Sequence, residues 1–309
     1  MKTVILDDWE HATEKETIEL DRLKRFSEVV VYHDQPPLDT LKERLRDADA
    51  VILMRERTKV TTELLDSMPN IKLLAQTGTG LAHIDMDALK KRGIPVATTP
   101  GGSTAAVTEL TFAFMMALAR DLQRLSPQVK QGRWPASIGM NLCCKTLGLI
   151  GLGSIGQSVA KVANFIGMRV IAWGPRLTAE RAEQQGVEYA SLDELLRQSH
   201  FVSLHVRLVP ETKHLLRREH FASMRPDAFL INTSRGELID EAALVEALQN
   251  GQIRGAGLDV FTQEPLDANH PMLKLDNVIL SPHIGWKTDS TFESFLNGSI
   301  ANIERFFNK

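Results

Sequence analysis

Cysteine is nearly absent from this 309-residue chain: only Cys143 and Cys144 occur, side by side. Neighbouring cysteines rarely bridge each other, so neither a disulfide framework nor a cysteine-rich zinc site is available. Charge of one sign is also missing. The 36 Lys and Arg oppose 39 Asp and Glu, 36 − 39 = −3, with a pI near 6.3. No basic excess is present to neutralise phosphates, which argues against a dedicated nucleic-acid binder. Long apolar runs are lacking. The stretch 110–119 is interrupted by Thr111 and falls short of the roughly 18 residues needed to span a bilayer. The N-terminus, MKTVILDDWEHATEKE, turns acidic after six residues and has no hydrophobic signal core. No internal repeat or low-complexity segment is visible. These absences predict a soluble, cytoplasmic protein with no membrane or nucleic-acid partner, and no metal ligand set is assigned.

What is present fits a globular chain, with 43% apolar and 24% charged residues. Length alone suggests about two domains of ~150 residues. Short β-rich runs alternate with amphipathic stretches from the start: TVIL (3–6), VVVY (29–32), AVILM (50–54), IKLLAQ (71–76) and PVAT (95–98), with helical patterns at 38–47 and 84–92. This rhythm predicts βα units and a five-stranded parallel sheet over about 100 residues. One long helical stretch is predicted over 104–131. A second strand series follows: TLGLIG (146–151), RVIAW (169–173), FVSLHV (201–206), AFLINT (228–233), GAGLDV (255–260) and NVILSPH (277–283). Six strands in this pattern suggest a dinucleotide-binding sheet. The amphipathic tail 288–307 is too short for a domain and is expected to pack back on the first, making it discontinuous.

The sharpest local motif is Gly151-Leu152-Gly153-Ser154-Ile155-Gly156, between an apolar strand and an apolar-periodic helix. Gly151 would make the tight turn, and Gly153 would admit a pyrophosphate. Gly156 would let helix and strand pack closely, with phosphate at the helix N-terminus. The acid expected about 20 residues on, to hold the ribose hydroxyls of NAD, is missing. Trp173 is followed by Gly174-Pro175-Arg176, with no acid before Glu180. Arg176 is either a partner for the 2′-phosphate of NADP or a solvated charge in an enzyme that accepts either cofactor, and the reading leans slightly to NADP.

Three ionisable residues follow consecutive strands of the second series: Arg235, Glu264 and His283. Ligands bind beyond the carboxyl ends of parallel strands, so all three would face one crevice. Singly, each has a plainer explanation in a solvated charge or turn chemistry at Glu264-Pro265. Their joint placement is what singles them out.

The segments LGLIGLGSIG, INTSRGELIDEAAL, GAGLDVFTQEPL and NVILSPHIGW resemble the D-isomer-specific 2-hydroxyacid dehydrogenases, a family that includes phosphoglycerate dehydrogenases and glyoxylate/hydroxypyruvate reductases. The resemblance is strongest over 75–285. It implies a Rossmann-type doubly wound parallel sheet, 101–283, inserted into a smaller flavodoxin-like α/β substrate domain, 1–100 and 284–309. It also implies a homodimer, formed with help from the helices of 103–131, and hydride transfer between NAD or NADP and a small D-2-hydroxy or 2-keto acid. In this resemblance His283 is the general acid, and Glu264 bonds its imidazole and favours the protonated form. Arg235 binds the substrate carboxylate and polarises the carbonyl. Thr108 and Asp259 fall on the nicotinamide side, Asp259 as a partner of the carboxamide or else as a plain strand-end turn residue, and Thr233 is a further cofactor-binding residue.

Gly78, Thr79 and Gly80 resemble the family's carboxylate-binding loop. Arg55 is either ligand-facing or a solvated loop residue, and Trp286 either narrows the pocket or packs at the domain junction. Arg55, Arg57 and Lys59 leave a phosphorylated substrate open. Thr108 stands where the family usually has a smaller residue. A different class, the dinucleotide-sensing corepressors similar to this family, is carried as the alternative.

Overall fold

The computed structural model describes residues 1–308 and divides into two compact units, Met1–Gly102 with the tail from Lys287, and Ser103–Trp286. The first holds five parallel strands, β1 (Lys2–Leu6), β2 (Glu28–Val31), β3 (Ala50–Leu53), β4 (Leu73–Gln76) and β5 (Val96–Thr98), in the order β2-β1-β3-β4-β5. This is the flavodoxin-like order. Central strands of a parallel sheet are covered on both faces, which explains why β3 reads as an unbroken apolar run, β4 is apolar up to Gln76, and both are buried throughout. Local chemistry marks the helices between them. The Asp85 side chain caps Met86–Arg92 by accepting from the Ala88 N–H, and Gly93 ends that helix in the left-handed region.

The tail forms one helix, Asp289–Phe307, whose Phe292, Phe295, Leu296, Ile300 and Ile303 are buried. Hydrogen bonds that tie it to the rest of the first unit include Asn302 Nδ2 to Thr98 O, Thr291 Oγ1 to Gly102 O, Asn297 Nδ2 to Thr17 O and Arg22 Nε to Glu304 Oε2. The last turns of the chain therefore complete the domain that the first residues begin.

The second unit holds seven parallel strands, β6 (Thr146–Ile150), β7 (Arg169–Trp173), β8 (Glu188–Tyr189), β9 (Phe201–Leu204), β10 (Phe229–Asn232), β11 (Gly255–Leu258) and β12 (Val278–Leu280). Their order, β12-β11-β10-β9-β6-β7-β8, reverses direction between β6 and β9. That is the switch point of a Rossmann sheet, where the ends of two strands open onto a ligand crevice. Two sequence expectations are corrected. The strands number seven, because β8 is an exposed two-residue edge strand too short to show an apolar pattern. The single helix over 104–131 is two, Thr104–Ala119 and Leu122–Lys130, broken where Asp121 adopts a positive φ of 56°. Among the described residues no helix is long and apolar enough to cross a membrane.

Two glycines set the switch point. Gly151 has φ of 107°, and a methyl there would lie 2.7 Å from the His205 carbonyl. A methyl on Gly156 would lie 2.2 Å from Gly151 O, so the helix Ser154–Ile166 could not start so close to β6. His205 follows β9. Its N–H donates to Ile150 O at 2.7 Å, and its Nε2 meets Ser203 Oγ at 2.9 Å. Desolvation of this ring pushes its pKa down to about 4. Because the folded value lies below the unfolded ~6.5, the unfolded chain binds the extra proton first. This stabilisation is complete above pH ~6.5 and is lost as pH falls toward 4. Urea unfolding at pH 7 and pH 5 should show a loss of up to about 2 kcal/mol from this group. His205→Gln should flatten that dependence, and an equally steep dependence in the variant would exclude His205 as its source.

Candidate active site

The site in the second unit is built from three loops that leave neighbouring strands. β11 runs into Asp259 and β12 into Ser281, in register side by side. The buried Asp259 carboxylate collects three donors from the segment after β12. Oδ1 accepts from Ser281 Oγ at 2.5 Å and Ile284 N–H at 2.8 Å, and Oδ2 accepts from Gly285 N–H at 2.7 Å. Within this clamp the His283 N–H bonds back to Ser281 O at 3.0 Å, and His283 holds a φ of 53°. Few non-glycine residues adopt that backbone unless their surroundings impose it. Here the imposition comes from one carboxylate.

His283 lies three residues beyond the end of β12, within reach of Glu264. Its Nδ1 stands 2.7 Å from Glu264 Oε2, and Glu264 Oε1 accepts the Phe261 N–H at 3.0 Å. An ionised carboxylate only accepts, so Nδ1 carries the proton in this bond and Nε2 is left to exchange one with a ligand. Burial pushes the Glu264 carboxyl up. The His283 hydrogen bond, the Phe261 N–H and the charges of His283 and Arg235 outweigh it and hold the group below the usual carboxylate range. Glu264 is therefore an anion suited to balance an imidazolium.

Arg235 lies three residues past β10 and is exposed, its Nη1 donating to its neighbour Ser234 O at 2.7 Å. Its backbone is held by Asn232, which donates through Nδ2 to Arg235 O at 2.9 Å and accepts the Ser234 N–H at 3.0 Å. The next residue, Gly236, rests on the peptide joining Phe261 and Thr262, so the Arg235 and Glu264 loops are in contact. Sequence reasoning missed Asn232 and Ser281 as holders of these loops, although both sit inside the motifs INTS and SPH.

The glycine loop leaves room for a dinucleotide. Gly151 and Gly156 are packed, whereas a methyl on Gly153 would meet nothing within 4 Å. Gly153 and Ser154 are exposed at the helix N-terminus, with Ile155 half-buried beside them. That open, glycine-lined start of a 13-residue helix fits a pyrophosphate. The turn after β7 lies alongside, with Gly174 close to Gly151. It presents exposed Arg176, whose carbonyl accepts Arg181 Nη1 at 3.0 Å. Thr108 is buried and donates to Thr104 O at 2.8 Å, while buried Thr233 shares a 3.3 Å contact with Thr111 Oγ1. Trp286 is buried.

In the first unit the Arg55 and Gly78 loops, which follow β3 and β4, interlock. The Arg55 guanidinium fills the space over Gly78, near the Phe295 ring, and the Glu56 side chain that over Gly80. Arg55 N–H donates to Thr77 Oγ1 at 2.7 Å, and Gly78 N–H to Thr99 Oγ1 at 2.8 Å. Gly78 is thereby committed, whereas the N–H groups of Thr79 and Gly80 have no intramolecular partner among the described residues. Thr79 is exposed and Gly80 half-buried.

Comparison with known proteins identifies the family. The family described as D-isomer specific 2-hydroxyacid dehydrogenase, NAD binding domain, matches residues 112–285. A glyoxylate reductase of Thermococcus litoralis is 39% identical over 295 residues, covering 92% of this chain and 88% of that protein. A D-3-phosphoglycerate dehydrogenase of Methanocaldococcus jannaschii is 42% identical over 254 residues, covering 81% of this chain; the chain spans 48% of that longer protein. The TT0316 protein of Thermus thermophilus superposes with a TM-score of 0.90 at 36% identity, covering 100% of this chain and 97% of its own. The chain belongs to the D-isomer-specific 2-hydroxyacid dehydrogenase family. It is an oxidoreductase acting on CH–OH groups with NAD(P). The dinucleotide-sensing alternative draws no support from these relatives.

Asp259→Asn tests the clamp. The amide would turn a donor toward the Gly285 N–H or toward the pair at Oδ1, leaving buried donors unpaired at about 1–3 kcal/mol. Chemical denaturation should show that loss, and unchanged stability would contradict the clamp.

Proposed function

We propose that the protein interconverts a small, unphosphorylated 2-keto acid of the glyoxylate or hydroxypyruvate type with its D-2-hydroxy acid, with Arg235, Glu264 and His283 as the reacting set. The 2.7 Å bond between His283 and Glu264, beside Arg235 on the switch-point sheet, carries this reading. The nicotinamide cofactor, when bound, supplies or accepts the hydride. His283 Nε2 gives a proton to the carbonyl oxygen in reduction and takes it back in oxidation. Glu264 balances the imidazolium. Arg235 offers its planar donor fork to the substrate carboxylate. Within the first unit, the N–H groups of Thr79 and Gly80 are suited to receive an anion, with Arg55 fixing their loop. Asp259 acts through His283, as a positioning residue.

Support for an unphosphorylated substrate comes from within the first unit, where Glu10 engages two of its cations. This residue accepts both Arg57 Nη1 at 2.8 Å and Nη2 at 2.7 Å, and stands 3.1 Å from Lys287 Nζ. Two cations that would suit a phosphate are thus turned to a carboxylate within the protein.

For the cofactor, Gly153, Ser154 and Ile155 would hold the pyrophosphate, and Arg176 with Arg181 would face the adenosine ribose. No acid stands at this turn to repel a 2′-phosphate, which favours NADP. A homodimer through the second unit is supported by Trp134 and Ile138, 90% and 94% exposed, with Leu122 and Val129 also uncovered.

His283→Ala should lower kcat with glyoxylate or hydroxypyruvate by at least ~100-fold while NADPH still binds; near-normal turnover would remove His283 from its role. Arg176→Ala should weaken kcat/KM for NADPH and leave that for NADH unchanged, and equal effects on both would refute the phosphate reading. Trp134→Glu should yield monomers in sedimentation, whereas a wild-type monomer would refute the dimer.

A further inference from the structure

The first unit carries a second organised cluster, His11, Glu14 and His33, in the segments that follow β1 and β2. Among the described residues it is the one group of three or more His, Cys, Asp or Glu side chains close enough to share a cation. One ligand atom from each lies within 4.8 Å of the other two. We propose that these three side chains form a binding site for a divalent transition metal ion of the zinc class.

The cluster hangs from a single buried residue, Asp8. Its Oδ1 accepts from Ala12 N–H at 2.8 Å, and its Oδ2 from Thr13 N–H at 3.0 Å and Thr13 Oγ1 at 2.6 Å. These bonds shape the turn that carries His11 and Glu14. The Asp8 carbonyl accepts the His11 N–H at 3.0 Å and His33 Nδ1 at 2.9 Å. A carbonyl can only accept, so His33 is protonated at Nδ1 and offers Nε2 as a lone pair. Metal-binding histidines are oriented in this way, by donating their other nitrogen to a carbonyl or carboxylate. Glu14 Oε1 stands 2.7 Å from His11 Nδ1, so these two ligand atoms already sit side by side and can turn to one ion.

Without metal the two imidazoles stack, centroids 4.1 Å apart and 11° from parallel. Atoms about 2.1 Å from a tetrahedral zinc lie about 3.4 Å from one another, so the widest separation closes by up to about 1.4 Å and the rings must turn out of their stack. His11 and Glu14 have the freedom to do so, with side chains 55% and 64% exposed. Two imidazoles and one carboxylate suit zinc, cobalt or nickel, and disfavour magnesium, which prefers oxygen ligands and water.

The test is calorimetric titration of the chelator-stripped full chain with zinc chloride. A Cys143→Ser/Cys144→Ser background keeps the adjacent thiols from contributing. One zinc per chain should bind, unaffected by excess magnesium, and His11→Ala and His33→Ala should each weaken it at least ~10-fold. Cobalt should give visible absorption bands that disappear in both variants. His11 is exposed, so its removal leaves the fold intact even if His33→Ala perturbs the turn. Absence of saturable zinc binding, or affinity and cobalt spectrum unchanged in His11→Ala, would overturn the proposal.

Discussion

One buried carboxylate, Asp259, organises the loops at the strand ends of the second unit. With three donors from 281–285 on its two oxygens, it closes the turn that holds His283 at φ 53°. Hydrogen bonds to a charged group contribute about 1.5–3 kcal/mol each, enough to hold one residue in a backbone region costing about 1–3 kcal/mol. The placement of His283 against Glu264 follows from that turn. General acid catalysis depends on holding a donor within hydrogen-bond reach of the reacting oxygen, so a residue that never touches substrate can still govern the rate.

The electrostatics are local rather than global. A net charge of −3 predicts nothing about the site. What matters is that Glu264 stays anionic beside His283, that Arg235 is exposed, and that Glu10 engages Arg57 and Lys287. Within the second unit a cation is left exposed, and within the first, two cations are engaged by a carboxylate. On the proposed reading, this difference separates recognition of a lone carboxylate from recognition of a carboxylate with a phosphate.

Much of this was legible in the residues. Apolar runs bounded by polar or glycine residues located eleven strands, because parallel strands are buried on both faces and need such runs. The missed strand, β8, is two exposed residues with no pattern to read. The broken helix escaped notice because its cause is the backbone of Asp121, which leaves the apolar periodicity on either side intact. At the site, Arg235, Glu264 and His283 stood out by chemistry and order. The residues that hold them did not. Asn232, Ser281 and the engaged oxygens of Asp259 act through partners 2 to 26 residues away, and such pairings appear only in three dimensions. Likewise, Gly78 reads as an anion donor in a glycine-rich loop, yet its N–H is taken by Thr99.

On the proposed reading, Asp259 serves the reaction through His283 and by no separate contact. A double-mutant cycle on kcat tests it directly, using Asp259→Ala, His283→Ala and the pair, with turnover measured at saturating cofactor and keto acid. If Asp259 works only by placing His283, the double variant is as slow as His283→Ala alone, because there is no longer an acid to place. Losses that multiply in the double variant would contradict the account and assign Asp259 a direct contact of its own.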